Sequence, residues 1–152
     1  MIYVECKSDF ALVKSITGIP RREITHEGGK PRVCQRLERQ ENCKGLVDED
    51  PSRAQPRYIR KLRLANDLFQ YELRVLCDES RNNRLIILCP KLEDWILKAA
   101  KEADLRMKKY GLPDTPRELH QVINLDPRKL ERLLPDLKNL ERVKTLRKLL
   151  GS

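Results

Sequence analysis

Met1-Ile2-Tyr3-Val4-Glu5 and Leu46-Val47-Asp48-Glu49-Asp50 are the two stretches whose reading decides the fold. In each, an apolar, β-prone run ends in carboxylates. The strands of an open parallel sheet share one carboxyl edge, and ligand sites form along it. Acidic side chains gathered there are costly unless something cationic lies among them. Asp48 and Asp50 are two positions apart, so an extended chain points both to one side. That pattern suits a hard divalent ion, Mg²⁺ or Mn²⁺, held by carboxylate oxygens and water. Glu5 would complete the ligation or act as a general acid or base.

Outward from these stretches, strands alternate with helical patterns. Phe10, Leu12, Val13 and Ile16 mark the apolar side of a helix, capped by Ser8 or Asp9 and stopped by Gly18 and Pro20. Glu23-Ile24-Thr25-His26 reads as a second strand and Gly28-Gly29 as a turn. Residues 30–40 read as a helix with Val33, Cys34 and Leu37 facing a sheet, and residues 43–47 as a third strand. Such repeats predict a parallel sheet with right-handed crossovers. After a loop at 51–56, residues 58–64 suggest a short basic helix and 71–77 an alternating strand. Leu85-Ile86-Ile87-Leu88 is a continuous apolar run, as in a buried parallel strand.

Helices follow. Leu92, Trp95, Ile96, Ala99, Ala100 and Ala103 share one helical face. Thr115-Pro116-Arg117-Glu118 has the form of a capping box with proline at the first helical position. Asp126-Pro127 opens a further helix, which Pro135 interrupts before residues 136–150 resume it. The expected fold is α/β: a Rossmann-like parallel-sheet core over residues 1–90, with a helical extension over 91–152 packed on it as one compact domain. The leucine-rich extension is also a candidate homodimer surface.

A length of 152 residues suits one domain. The 32 basic residues outnumber 23 acidic ones, and the net charge of +9 favours a polyanionic partner, with nucleic acid, DNA or RNA, the commonest. The apolar content excludes a wholly disordered chain. The five cysteines include no CxxC pair, which argues against a zinc ribbon or thioredoxin motif. Free thiols in a reducing cytoplasm are expected instead. Met1 opens directly into a strand-like run rather than a signal peptide, and no apolar run approaches the roughly 18–20 residues that span a bilayer. A cytoplasmic protein with no membrane partner is the expectation. Neither a Gly-x-Ser-x-Gly elbow nor a Cys/His dyad points to another kind of hydrolase.

The stretch Val4-Glu5-Cys6-Lys7-Ser8-Asp9-Phe10-Ala11-Leu12 resembles the first motif of the TOPRIM domain, a strand ending in Val-Glu-Gly followed by an aspartate and a short apolar helix. Leu46-Val47-Asp48-Glu49-Asp50 resembles its second motif, an apolar strand ending in Asp-x-Asp, and one strand–helix unit separates the two. Cys6 stands where the family has glycine, and Pro51-Ser52-Arg53 where a glycine often follows. The resemblance covers roughly residues 1–90 and implies a small, stand-alone, nuclease-like member, similar to the TOPRIM domains of OLD-family nucleases and the 5S ribosomal RNA maturase. It implies a TOPRIM-like fold and Mg²⁺-dependent phosphodiester cleavage. Glu5 would take the acid/base role, Asp48 and Asp50 would hold the ion, and Asp9 would support them.

Further constellations fit that chemistry. His26-Glu27-Gly28-Gly29-Lys30 places a Gly-Gly turn before a helix, where Gly28 and Gly29 can offer backbone N–H groups to a phosphate and Lys30 its charge. Many TOPRIM-like nucleases carry a similar Gly-Gly-Lys. Glu93 and Asp94 open a helix at the same sheet edge and are a candidate second metal position, or they simply complement the helix dipole. Lys7, Arg53, Arg57, Arg60 and Lys61 are placed to follow a phosphate backbone. Aromatics are few there, so backbone contact rather than base stacking is expected. The alternative is a non-catalytic nucleic-acid-binding, RNA-associated module that keeps the fold.

Overall fold

In a computed structural model, which describes residues 1–151, the chain folds as an α/β protein around one sheet. Its strands are β1 (Ile2–Val4), β2 (Ile24–His26), β3 (Lys44–Asp48), β4 (Arg63–Leu68), β5 (Leu73–Asp78) and β6 (Asn83–Leu88). The helices are α1 (Lys7–Thr17), α2 (Lys30–Arg39), α3 (Arg57–Lys61), α4 (Leu92–Glu102), α5 (Pro116–Leu125) and α6 (Glu141–Gly151). Strand order is β2-β1-β3-β6-β5-β4. β1 pairs in parallel with both β2 and β3, and β3 in parallel with β6. β5 is antiparallel to β6 and to β4.

The expected all-parallel sheet is therefore corrected to a mixed one. β5 and β6 are joined by a short turn in which Asn82 takes a left-handed conformation, φ 54°. A connection this short can only reverse the chain, because parallel neighbours need a crossover of a dozen or more residues. The region read as a helix over 58–64 is corrected too. α3 ends at Lys61, and β4 follows as the sheet's edge strand. Its sequence Arg-Leu-Ala-Asn-Asp-Leu shows no apolar alternation because almost every side chain in it is exposed.

Period-two alternation divides the core between the two sheet faces. Ile2, Val4, Leu46, Ile86 and Leu88 face α1, α4, α5 and α6 in one buried cluster. Tyr3, Val47, Leu85 and Ile87 face α2 and Tyr58 of α3 in the other. Leu119, Ile123, Leu130, Leu134, Leu137, Val143 and Leu146 are buried in the first cluster, so the apolar side of the C-terminal helices lies against the sheet's own core. Thr115 caps α5 through its backbone, without a side-chain hydrogen bond, and the expected capping box is not formed. The helix expected from Asp126 onward is two 3₁₀ segments, Pro127–Arg132 and Leu134–Leu137, ahead of α6. Pro135 lacks the N–H that a continuous helix would need.

Arg142 fastens this layer. Its side chain is fully buried, ion-paired at 2.7 Å to both Glu72 and Glu102, and its guanidinium lies over the Trp95 ring at 5.4 Å. Removing one member of a buried pair costs about 3–5 kcal/mol. Because Glu72 and Glu102 remain partly exposed, Arg142→Ala should destabilise by about 3 kcal/mol, the low end, as read by urea denaturation. A loss below about 1 kcal/mol, the level of a surface pair, would show that Arg142 does not fasten the layer.

Gly45 offers a second test. A Cβ there would lie 3.0 Å from side-chain atoms of Leu85 and Val33 and 3.1 Å from Leu37. β3 therefore approaches α2 closely only because residue 45 has no side chain. Gly45→Ala should cost about 1–3 kcal/mol through overpacking, with an unchanged midpoint on urea denaturation as the contrary result.

Candidate active site

The strand order reverses between β1 and β3: β2 lies to one side of β1, and the chain then crosses back to lay β3 on the other. Open α/β sheets bind ligands at such a switch point, beyond the carboxyl ends of the strands. Glu5 follows β1 and Asp48 ends β3 at this point. The Asp48 backbone N–H donates to Glu5 Oε2 at 2.6 Å. The Lys30 backbone N–H, at the start of α2, also favours the charged form of the Glu5 carboxylate. Asp48 Oδ1 in turn accepts the Leu92 N–H that opens α4, at 3.0 Å. Two helix N-termini, with their positive dipole ends, thus face the switch point.

Asp9 and Glu93 complete the cluster. Asp9 is buried and accepts from Cys6 N at 3.1 Å and Cys6 Sγ at 3.2 Å. Cys6, rather than Ser8 or Asp9, is the N-cap residue of α1. Ser8 instead donates to the Ile123 carbonyl of α5 at 3.3 Å. The glycine position of the resembled motif is therefore occupied by a thiol that is hydrogen-bonded to an acid of the cluster. Burial, and after it the Asp9 carboxyl, pushes this thiol far up, so it is not a nucleophile. Buried Glu93 Oε1 lies 2.7 Å from His120 Nδ1 on α5.

These acids feel one another. Burial, followed by Asp9, Glu5 and Glu93, drives Asp48 well above the usual carboxylate range. Burial and then Glu5 raise Asp9. Burial also raises Glu5, opposed by the Asp48 N–H and by Lys30. Like charges this close are carried by protons or by a cation between them.

The remaining predicted residues fall around this centre. Asp50 raises Glu5 but turns its carboxylate to Arg53 at 3.3 Å and Lys91 at 3.8 Å. Its backbone is left-handed, φ 44°, so Asp48 and Asp50 do not share the one side that an extended chain would give them. Asp94 is half-buried in the first turn of α4 and takes no part in the hydrogen bonds of the cluster. Gly29 caps α2 and Gly28, at φ 96°, donates to the Glu5 carbonyl at 2.8 Å, so the Gly-Gly turn is tied to the strand end. Lys30 is buried, yet its Nζ donates to the Glu49 carbonyl at 2.8 Å and Gln55 Oε1 at 3.0 Å rather than to a carboxylate. Arg57, Arg60 and Lys61 project from α3, and Lys7 lines a separate groove with Phe10, Lys14, Arg21 and His26. His120 was invisible in the sequence, because a lone histidine within a helical pattern carries no signal of what it meets.

Among the described residues, no group of three or more His, Cys, Asp or Glu side chains converges tightly enough to hold a metal by itself. Mg²⁺ does not require one: it keeps several waters and takes one or two carboxylates. The donors of this site are carboxylate oxygens, the hard ligands that Mg²⁺ and Mn²⁺ prefer. Glu5 and Asp48 fit such an ion. Compared with known proteins, the chain matches no family model, no curated protein and no solved structure.

A carboxyl whose folded-state value is raised contributes stability while it stays protonated, and that contribution is lost as pH rises through the raised value. With a chelator present, the melting temperature should therefore fall from about pH 5 toward about pH 9. Asp48→Asn, which stays neutral, should flatten that fall. Equal pH slopes in the two proteins would contradict the cluster.

Proposed function

We propose that this protein is a metal-dependent phosphodiesterase acting on nucleic acid, with its site at the β1/β3 switch point. The observation that carries the reading is the gathering of four acids that raise one another, Asp9 and Glu93 buried and Glu5 and Asp48 half-buried, an arrangement that a divalent cation would relieve. Glu5 and Asp48 are the residues that would hold Mg²⁺ or Mn²⁺. When bound, the ion would polarise a phosphoryl oxygen and lower the pKa of a water. Glu5, held by the Asp48 N–H, is fixed where it can take a proton from an attacking water. Asp48 is oriented by the Leu92 N–H. The charge of Lys30 bears on Glu5 from behind the Asp48–Glu49 turn and offsets negative charge there. The net charge of +9, with Arg53 at the rim of the site and Arg57, Arg60 and Lys61 on the helix that follows its loop, supports a polyanionic substrate. The TOPRIM-like motifs point the same way.

Purified protein with Mg²⁺ or Mn²⁺ should cleave DNA or RNA oligonucleotides, and Glu5→Gln should reduce the rate by about 10²–10⁴-fold. Asp48→Asn should act mainly by raising the metal concentration required. Metal-dependent cleavage that survives both substitutions unchanged would refute the assignment.

The net charge of +9 supports one second reading, a nucleic-acid-binding module without turnover. Calorimetry separates the two. Titratable Mg²⁺ or Mn²⁺ binding supports the enzyme; salt-sensitive RNA binding with no metal heat supports the module.

A further inference from the structure

Beside Asp48, a cavity of about 490 Å³ opens under the loop that follows β3. Its volume is that of an ordinary small-molecule site. Ile59 of α3, Leu64 of β4, Leu76 of β5 and Ile87 of β6 supply an apolar floor, drawn from four separate elements. Leu64 is 49% exposed, an apolar side chain left open on an edge strand. Lys30, Arg53 and Arg74 are cations on its lining, and Asp48 and Glu49 are the carboxylates on it.

The chemistry is two-sided. A flat, weakly polar ring would cover the four aliphatic side chains and remove them from water. An anion attached to that ring would reach the cationic rim. Arg74 meets Glu49 at 3.3 Å and Arg53 meets Asp50 at 3.3 Å, and both arginines are exposed. Exposed pairs of this kind hold weakly. A phosphate can draw either guanidinium away, since arginine binds it in a bidentate fork.

We propose that this cavity is a subsite for one nucleoside phosphate, with the base on the Ile59–Leu64–Leu76–Ile87 floor and the phosphate directed by Arg53 and Arg74 toward Asp48. It deepens the cleavage reading, and rests on it only for the direction of the phosphate. A base in this cavity is unpaired, so the substrate is a single strand, a frayed end or a free nucleotide rather than intact duplex. The same base-plus-phosphate chemistry is offered by a free nucleotide and by an unpaired residue of a strand.

Adenosine 5′-monophosphate titrated into the full chain by calorimetry, in metal-free buffer, tests this directly. Saturable binding is expected, at least about tenfold tighter than that of ribose 5-phosphate, which lacks the base. Leu64→Glu and Arg74→Ala, both at exposed positions, should each weaken it by about tenfold or more while the melting temperature stays near the parent's. No binding, equal binding of ribose 5-phosphate, or an affinity indifferent to both substitutions would overturn the proposal. A 5′-phosphorylated single-stranded oligonucleotide that displaces the nucleotide identifies a strand as the source of the occupant; a strand that fails to displace it identifies the free nucleotide. Cleavage is scored apart, with Glu5→Gln, since Glu5 does not line the cavity. Nucleotide binding without cleavage removes the catalytic reading and leaves the subsite standing; cleavage without nucleotide binding does the reverse.

Discussion

The hydrogen bond from the Asp48 N–H to the Glu5 carboxylate joins the ends of β1 and β3, and the arrangement of the site follows from it. It lies at the β1/β3 switch point, where the strand order reverses and the connections that leave β1 and β3 lie on opposite faces of the sheet. The two N-terminal helices diverge there, α1 onto one face and α2 onto the other. Between them the switch point forms a crevice beyond the strand ends. Acids line it, Asp9 and Glu93 buried and Glu5 and Asp48 half-buried, and withdrawing them from water is costly unless they are neutralised.

The surrounding framework keeps that crevice from collapsing. Cys6 caps α1 with its Sγ on Asp9, and α4 starts on Asp48 Oδ1, so each of the two aspartates is held by a helix N-terminus. Glu93 is held from the far side by His120, and Ser8 ties α1 to α5 through the Ile123 carbonyl. Arg142 then fastens the C-terminal layer to β5 and α4. The helices beyond residue 91 thus supply a wall of the acid site as well as its backing, which makes them structural partners of the β1/β3 edge.

How much of this was readable in advance depended on how local each signal was. Glu5 and Asp48 were legible because an apolar strand that ends in an acid states its own position on a sheet edge. Glu93 was legible for the same reason, as part of a helix start after an apolar strand. The side on which Asp50 lies is not legible, because its left-handed backbone, which sequence does not reveal here, takes it out of line with Asp48. β4 was missed because an exposed edge strand buries too little to leave an alternating pattern. Lys30 was placed correctly at the head of α2, but its side chain runs to Gln55 and the Glu49 carbonyl, contacts made by a loop that composition describes only as a loop. The cavity beside Asp48 had no sequence signature at all, since its floor is assembled from segments distant along the chain.

The account's central claim is that Glu5 and Asp48 are gathered to share one divalent cation. A crystal soaked in Mn²⁺ and measured for anomalous scattering tests it most directly. The account predicts a single strong peak within coordination distance of carboxylate oxygens from both residues, at about 2.0–2.2 Å as for ions of this class. Ordered Mn²⁺ elsewhere, with the Glu5–Asp48 crevice empty and both side chains unmoved, would contradict it.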